Sequence, residues 1–192
     1  SIEVARELAS DNDICVSTDD EEIKAVVEGL GLTVPFVRPA EYATDTASTN
    51  DVILHALHFY EQKGIVYDIV VLLQPTSPLR TVRHVQEAMN LYSDDIDMVV
   101  SVRPSSSAYV MCKENEDGFL YPVVNRGSTR RQDMPSFYEY NGAIYVINTK
   151  SLKEKGLAAF TNKRKYVMDI ESSYDIDTLT DWKIVELFLK SR

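Results

Sequence analysis

Ile69-Val70-Val71-Leu72-Leu73, running straight into Gln74-Pro75-Thr76-Ser77-Pro78-Leu79-Arg80, decides how this chain reads. The first five residues are all apolar and the first three are β-branched. Such a run predicts a strand buried on both faces, as in a parallel sheet. The two prolines then forbid regular structure and leave polar side chains at the strand's end. Helices are predicted on either side. Upstream, Ser48 caps a segment with Asp51 three residues on and an apolar stripe of Ile53, Ala56, Leu57 and Tyr60, ended by Gly64. Downstream, Thr81 caps a second, with Val85, Ala88, Met89 and Tyr92 on one side, and residues 98–102 form another strand.

The same alternation extends toward the N-terminus. Residues 13–17 read as a strand, Thr18 and Glu21 as a capping box, and Ile23, Val26, Val27 and Leu30 as one helix face stopped by Gly29 and Gly31. Residues 34–37 read as extended. Strands alternating with helices predict an α/β fold, a three-layer Rossmann-like sandwich with a mainly parallel sheet. In the second half, residues 108–112, 120–124 and 143–147 read as strands, with Asp117-Gly118 as a hairpin turn. A last helix runs from about residue 178 to about residue 190, capped by Thr178 with Asp181 three residues later. No repeat or linker divides the chain, so 192 residues predict one domain.

Apolar residues make up 44% and charged residues 26%, the balance of a globular protein. Thirty acidic against 20 basic residues give a net charge of −10, which excludes general binding to nucleic acid or an anionic membrane. No apolar run is long enough for a membrane-spanning helix. Cys15 and Cys112 lie in strand-like runs, and no disulfide framework is expected, which suits the cytoplasm. Ile2, Val4, Ala5 and Leu8 form a buried helical stripe at the very start, so a strand and loop are expected to precede Ser1.

Ligands of open α/β sheets bind at the carboxyl ends of strands, so the loops there are the candidate sites. Neither G-x-x-x-x-G-K-[ST] nor G-x-G-x-x-G occurs, because Val34 stands where Gly29-Leu30-Gly31 would need a third glycine. The 74–80 loop presents polar groups, or is a rigid connector. Arg130-Arg131-Gln132-Asp133, with Arg126 nearby, offers guanidinium forks for a carboxylate or phosphate, or pairs with surface acids. Asp175-Ile176-Asp177 places carboxylates at i and i+2, on one side of an extended segment, where both reach one Mg²⁺, or else they stabilise a helix start. Tyr138, Tyr140 and Tyr145, around Asn141-Gly142, line a pocket or pack in the core. His55, His58 and His84 fall in predicted helices and suggest neither zinc nor a nucleophilic triad. Lys163-Arg164-Lys165 is a solvated basic turn.

Taken in order, Leu72 to Arg80, Arg130 to Asp133, Tyr140-Asn141-Gly142-Ala143-Ile144-Tyr145 and Asp175-Ile176-Asp177 resemble the acylneuraminate cytidylyltransferases, also called CMP-sialic acid synthetases. Val16 to Asp20, Arg38 to Glu41 and Asp45 to Ser48 fit the same family. The resemblance runs from Ile2 to the C-terminal helix. It implies a nucleotidyltransferase that moves CMP from CTP to the anomeric hydroxyl of a nine-carbon 2-keto sugar acid and releases pyrophosphate. It implies Mg²⁺ on Asp175 and Asp177, the sugar acid at Gln74, Arg131 and Tyr145, and the cytosine nucleotide near Arg38, Ala47 and Thr49. It further implies a homodimer, with residues 150–166 as a small dimerisation arm lending Phe160 to the neighbouring site. The family opens with a strand and a glycine-rich phosphate loop, which this sequence begins after.

Other readings remain open at this point. The sugar acid can be of the legionaminic, pseudaminic or KDO type. A metal-dependent glycosyltransferase also pairs a Rossmann-like half with D-x-D, but there the pair normally follows a central strand, whereas here it precedes the final helix. A non-catalytic nucleotide- or sugar-binding protein is the third.

Overall fold

The longest strand, Phe137–Asn148 (β5), organises the molecule. A computed structural model describes residues 1–44, 46–124 and 135–191. The helices are α1 (Ile2–Arg6), α2 (Glu21–Gly29), α3 (Thr49–Glu61), α4 (Val82–Met89), α5 (Thr149–Lys155) and α6 (Leu179–Ser191). The other strands are β1 (Ile69–Leu72), β2 (Met98–Ser105), β3 (Cys112–Glu114), β4 (Leu120–Pro122) and β6 (Lys163–Val167). The main sheet has the order β1-β5-β2-β6. β6 pairs parallel to β2, while β5 runs antiparallel to both β1 and β2. Thus β1, β2 and β6 share one direction, and β5 is inserted against them. The apolar run at Ile69 specified a strand but not its place: β1 lies at the sheet's edge, half-buried along its length.

Alternation along the strands sends side chains to opposite faces. One face of the sheet carries Val99, Ile144, Val146 and Tyr166, under Val85 and Ala88 of α4 and Val4 of α1. The other carries Met98, Val100, Val102 and Ile147, under Ile53 and Leu57 of α3 and Leu152 of α5. Two covered faces make three layers. Each buried Leu, Ile or Val contributes roughly 1.5–3 kcal/mol relative to exposure. A third cluster of Ile14, Val27 and Leu32 packs α2 against the N-terminal segment.

Three helix starts follow the local rules. The Ser48 hydroxyl accepts the Asp51 N–H at 3.2 Å. Thr81 and His84 cap reciprocally at the start of α4. Asp181 accepts from the Thr178 N–H at 2.8 Å. The α2 start differs from expectation, since Asp20 accepts the Glu22 and Ile23 N–H groups and is the N-cap. Thr18 instead accepts the Asp20 N–H. Residues 13–17 and 34–37 form no strand pair beyond one bridge, Thr18 to Val37, because neither segment joins the main sheet.

Within this chain residues 150–166, where a dimerisation arm is expected, supply most of α5 and most of β6, and Tyr166 buries beneath α4 as part of the main core. The element standing clear of the sheet is the β3–β4 hairpin, exposed along both strands, with Gly118 in its turn at φ +83°. Residues 107–109 are a 3-10 turn in place of the strand expected at 108–112.

Candidate functional site

The 74–80 loop, the middle of β5 and the segment before α6 meet at the carboxyl ends of β1 and β6. A break in strand register brings them together. Val100 faces Tyr145 and Val102 faces Tyr140, so Ser101 alone of β2 opposes residues 141–144 of β5. The surplus residues bulge, as β-bulges do beside active sites. Gly142, with φ +73°, forms the tip. A Cβ there would lie 2.6 Å from Gln74 Oε1, 3.6 Å from Asp175 Oδ2 and 3.7 Å from Ser77 Oγ. Only glycine permits that backbone conformation and that approach without displacement.

Gln74, Ser77, Gly142 and Asp175 therefore share one small volume. The buried Ser77 hydroxyl donates to Asp175 Oδ1 at 3.3 Å. The Ile176 N–H donates to the Thr76 carbonyl at 2.9 Å, tying the D-x-D segment to the loop after β1. Arg80, only 4% exposed, braces the other side. Its Nη1 donates to the Gln74 carbonyl at 2.9 Å and the Ala143 carbonyl at 2.8 Å. Its Nη2 donates to the Ser1 hydroxyl. Its Nε has no hydrogen-bond partner among the described residues. Burial lowers the Arg80 pKa to about 10, so the guanidinium stays charged at neutral pH.

Tyr145 lies between Leu72 of β1 and Val100 of β2. Burial raises its phenol pKa, helped by nearby Tyr140 and by the Asp175 carboxylate. It stays a hydrogen-bond donor at neutral pH. Asp177 is exposed two residues beyond Asp175, and its N–H donates to Asp181 Oδ2 at 3.3 Å. Among the described residues no group of three or more His, Cys, Asp and Glu could hold a metal. A Mg²⁺ ion needs only one or two carboxylates when substrate phosphates supply the rest, and Asp175 and Asp177 are two carboxylates two residues apart in the chain.

The other expected positions lie elsewhere. Arg38 donates through Nε to Ser17 Oγ at 3.1 Å and through Nη2 to the Ser17 carbonyl, fastening the segment before α2. The Ala47 N–H donates to the Thr44 carbonyl at 3.0 Å, and Thr49 is the exposed first residue of α3. Thr49 lines an open hollow of about 410 Å³ with Ser48, Asn50, Gly156, Leu157 and Ala158. Phe160, 4% exposed, packs in this chain's own core with Ile53 and Leu57. Arg131, with Arg126, Arg130, Gln132 and Asp133, lies outside the described residues, as does Asp45. Tyr138 and Tyr140 are exposed, and Lys165 lies 4.1 Å over the Tyr138 ring. Sequence reasoning assigned no role to Ser77, Arg80 or Gly142. The Asn141-Gly142 pair was the available signal, since such pairs favour positive φ.

The layered fold defines an α/β protein with a polar side-chain cluster at the strand ends, the position where such sheets bind ligands. The sequence matches the cytidylyltransferase family over residues 1–190, and the chain belongs to that family. It is 30% identical to a CMP-N,N'-diacetyllegionaminic acid synthase of Legionella pneumophila, over 93% of this chain and 78% of that protein. It is 33% identical to an N-acylneuraminate cytidylyltransferase of Escherichia coli, over 96% of this chain but 43% of that protein. A solved CMP:2-keto-3-deoxy-manno-octonic acid synthetase complexed with CTP has the same fold, with TM-score 0.69 at 17% identity, covering 98% of this chain and 85% of that one.

Proposed function

We propose that this protein transfers CMP from CTP to the anomeric hydroxyl of a nine-carbon, sialic-type 2-keto sugar acid, releasing pyrophosphate. The observation that carries this reading is the convergence of Gln74, Ser77, Gly142 and Asp175 at the strand ends. Family membership and relatives acting on N-acylneuraminate and diacetyllegionaminate support it.

Such a reaction brings two anions, a triphosphate and a sugar carboxylate, into a protein of net charge −10. Alignment and local charge stabilisation must do most of the work. Gln74 offers a side-chain amide to the sugar acid, and the Arg80 bond to its main-chain carbonyl holds the backbone that carries it. Tyr145 offers a phenol O–H. Arg80 contributes a buried positive charge, which acts more strongly than an exposed one at the same distance. Arg131 supplies a guanidinium for the sugar carboxylate. The Ser77 hydroxyl occupies one oxygen of Asp175 and leaves Oδ2 facing the bulge. Asp175 and Asp177 would hold Mg²⁺, which neutralises phosphate charge and lowers the pKa of a bound hydroxyl. Arg38, Ala47 and Thr49 would stand near the cytosine nucleotide, and a homodimer would form in solution.

The test is pyrophosphate release from CTP and Mg²⁺ with a panel of nine- and eight-carbon sugar acids, using full-length protein. Release with one acid, and only with CTP, is expected. The legionaminate relative, matched over more of its length than the neuraminate one, makes that acid the second member of the panel to try. Asp175→Asn and Asp177→Asn should each lower turnover by roughly 100-fold or more, since each removes a carboxylate that would hold the Mg²⁺ whose charge offsets that of the phosphates. Silence across the panel from folded protein overturns the reading.

A further inference from the structure

A chain of hydrogen bonds through three buried side chains runs beneath the bulge. The Ser101 hydroxyl donates to Asn141 Oδ1 at 2.6 Å and accepts the Ile144 N–H at 2.8 Å. The single β2 residue opposite the bulge thus replaces the missing ladder bond with its side chain. Asn141 Oδ1 also accepts the Ala143 N–H at 3.2 Å, while Nδ2 donates to Ser173 Oγ at 2.9 Å and faces Met168 Sδ at 3.3 Å. Ser173 Oγ donates onward to the Asp169 carbonyl at 2.6 Å. Ser101, Asn141 and Ser173 are all buried. The amide is satisfied at both ends, which fixes its orientation: reversed, its NH₂ would face the Ala143 N–H.

One end of this chain holds the bulge whose tip touches Gln74, and the other is Ser173, two residues before Asp175. We propose that Ser101, Asn141 and Ser173 are positioning residues, a buried Ser–Asn–Ser link that sets Asp175 against Gly142 and Gln74. The inference rests on the proposed function for its catalytic consequence, but its structural content stands apart. A fully satisfied buried network specifies one geometry, and breaking it frees the elements it joins. The segment from Ser173 to Asp175 is also held by the Ser173 N–H to the Ile170 carbonyl at 3.2 Å, the Tyr174 N–H to the Glu171 carbonyl at 3.4 Å, the Tyr174 ring against Phe188, and the Ile176–Thr76 and Ser77 bonds, but of these only the last two reach the loop after β1, and none reaches the bulge.

The test is Ser173→Ala in the full chain, read in two ways. Amide hydrogen exchange at Ile176 should quicken roughly five- to tenfold, as expected for loss of one modest hydrogen bond, while Val70 and Val71 of β1 keep their rates. The Mg²⁺ concentration for half-maximal pyrophosphate release should rise by a similar factor, with KM for CTP at saturating Mg²⁺ little changed. Unchanged exchange at Ile176, or equal acceleration in β1, overturns the proposal by making Ser173 idle or merely stabilising. If Ser173→Ala does not fold, Ser101→Ala cuts the chain at its other end and is judged by the same amide. A parent protein that releases no pyrophosphate with any sugar acid refutes the proposed function, while the exchange at Ile176 still decides the link.

Discussion

Gly142→Ala is the substitution that most directly tests the geometry of the site. Gly142 and Gly64 both have a positive φ, +73° and +78°. An added Cβ at Gly64 meets nothing within 4 Å, whereas at Gly142 it meets Gln74 Oε1 at 2.6 Å. Placing alanine in this left-handed region costs about 1–2 kcal/mol at either position. For a chain of this size that lowers Tm by about 2–8 °C. The collision at Gly142 is with the end of a flexible side chain, which swings away at small further cost to stability. It swings out of the site, however. Losing a hydrogen bond from Gln74 to a charged substrate costs about 1.5–3 kcal/mol, or roughly 10- to 100-fold in affinity. The two variants should therefore melt alike, while only Gly142→Ala raises KM for the sugar acid by that factor. Thermal melts and initial-rate pyrophosphate assays on both proteins decide it. A Gly142→Ala protein with unchanged sugar-acid KM would refute the close approach and with it the role of Gln74.

Other expectations follow from buried charge and from thiol burial. Asp97 is buried, paired to Lys155 at 2.7 Å, and accepts the Thr161 and Asn162 N–H groups at 3.1 and 3.0 Å. The bond from Lys155 leads in holding its carboxyl well below the usual range. The unfolded chain then binds the extra proton below its ordinary pKa of about 3.9, so the stability from Asp97 is complete above that pH and is lost as pH falls. Asp97→Asn should flatten the drop in Tm between about pH 5 and about pH 3, and an unchanged slope would remove Asp97 from that role. Burial pushes the Cys15 thiol up to about 11, whereas Cys112 is exposed. A thiol reagent at neutral pH should modify Cys112 quickly and half-buried Cys15 far more slowly, and two equally fast thiols would contradict the packing around Ile14.

Short-range features were legible in the sequence because their partners lie within a few residues. Ser48, Thr81 and Thr178 cap helices through groups three residues away. The apolar run at Ile69 and the alternation of strand and helix specified layers, and the order of the loop motifs specified the family. Direction and register were not legible, because they depend on distant pairings. A period of two assigns faces and does not say which strand lies alongside. Hence the sequence did not show β5 entering antiparallel between β1 and β2, or residues 150–166 folding into the main sheet with Phe160 buried. The site shows the same division. The residue types at Gln74 and at Asp175-Ile176-Asp177 were visible as chemistry in the sequence. That Gln74 and Asp175 face one another across Gly142 was decided by a register break opposite Ser101, which exists only once β2 and β5 have paired.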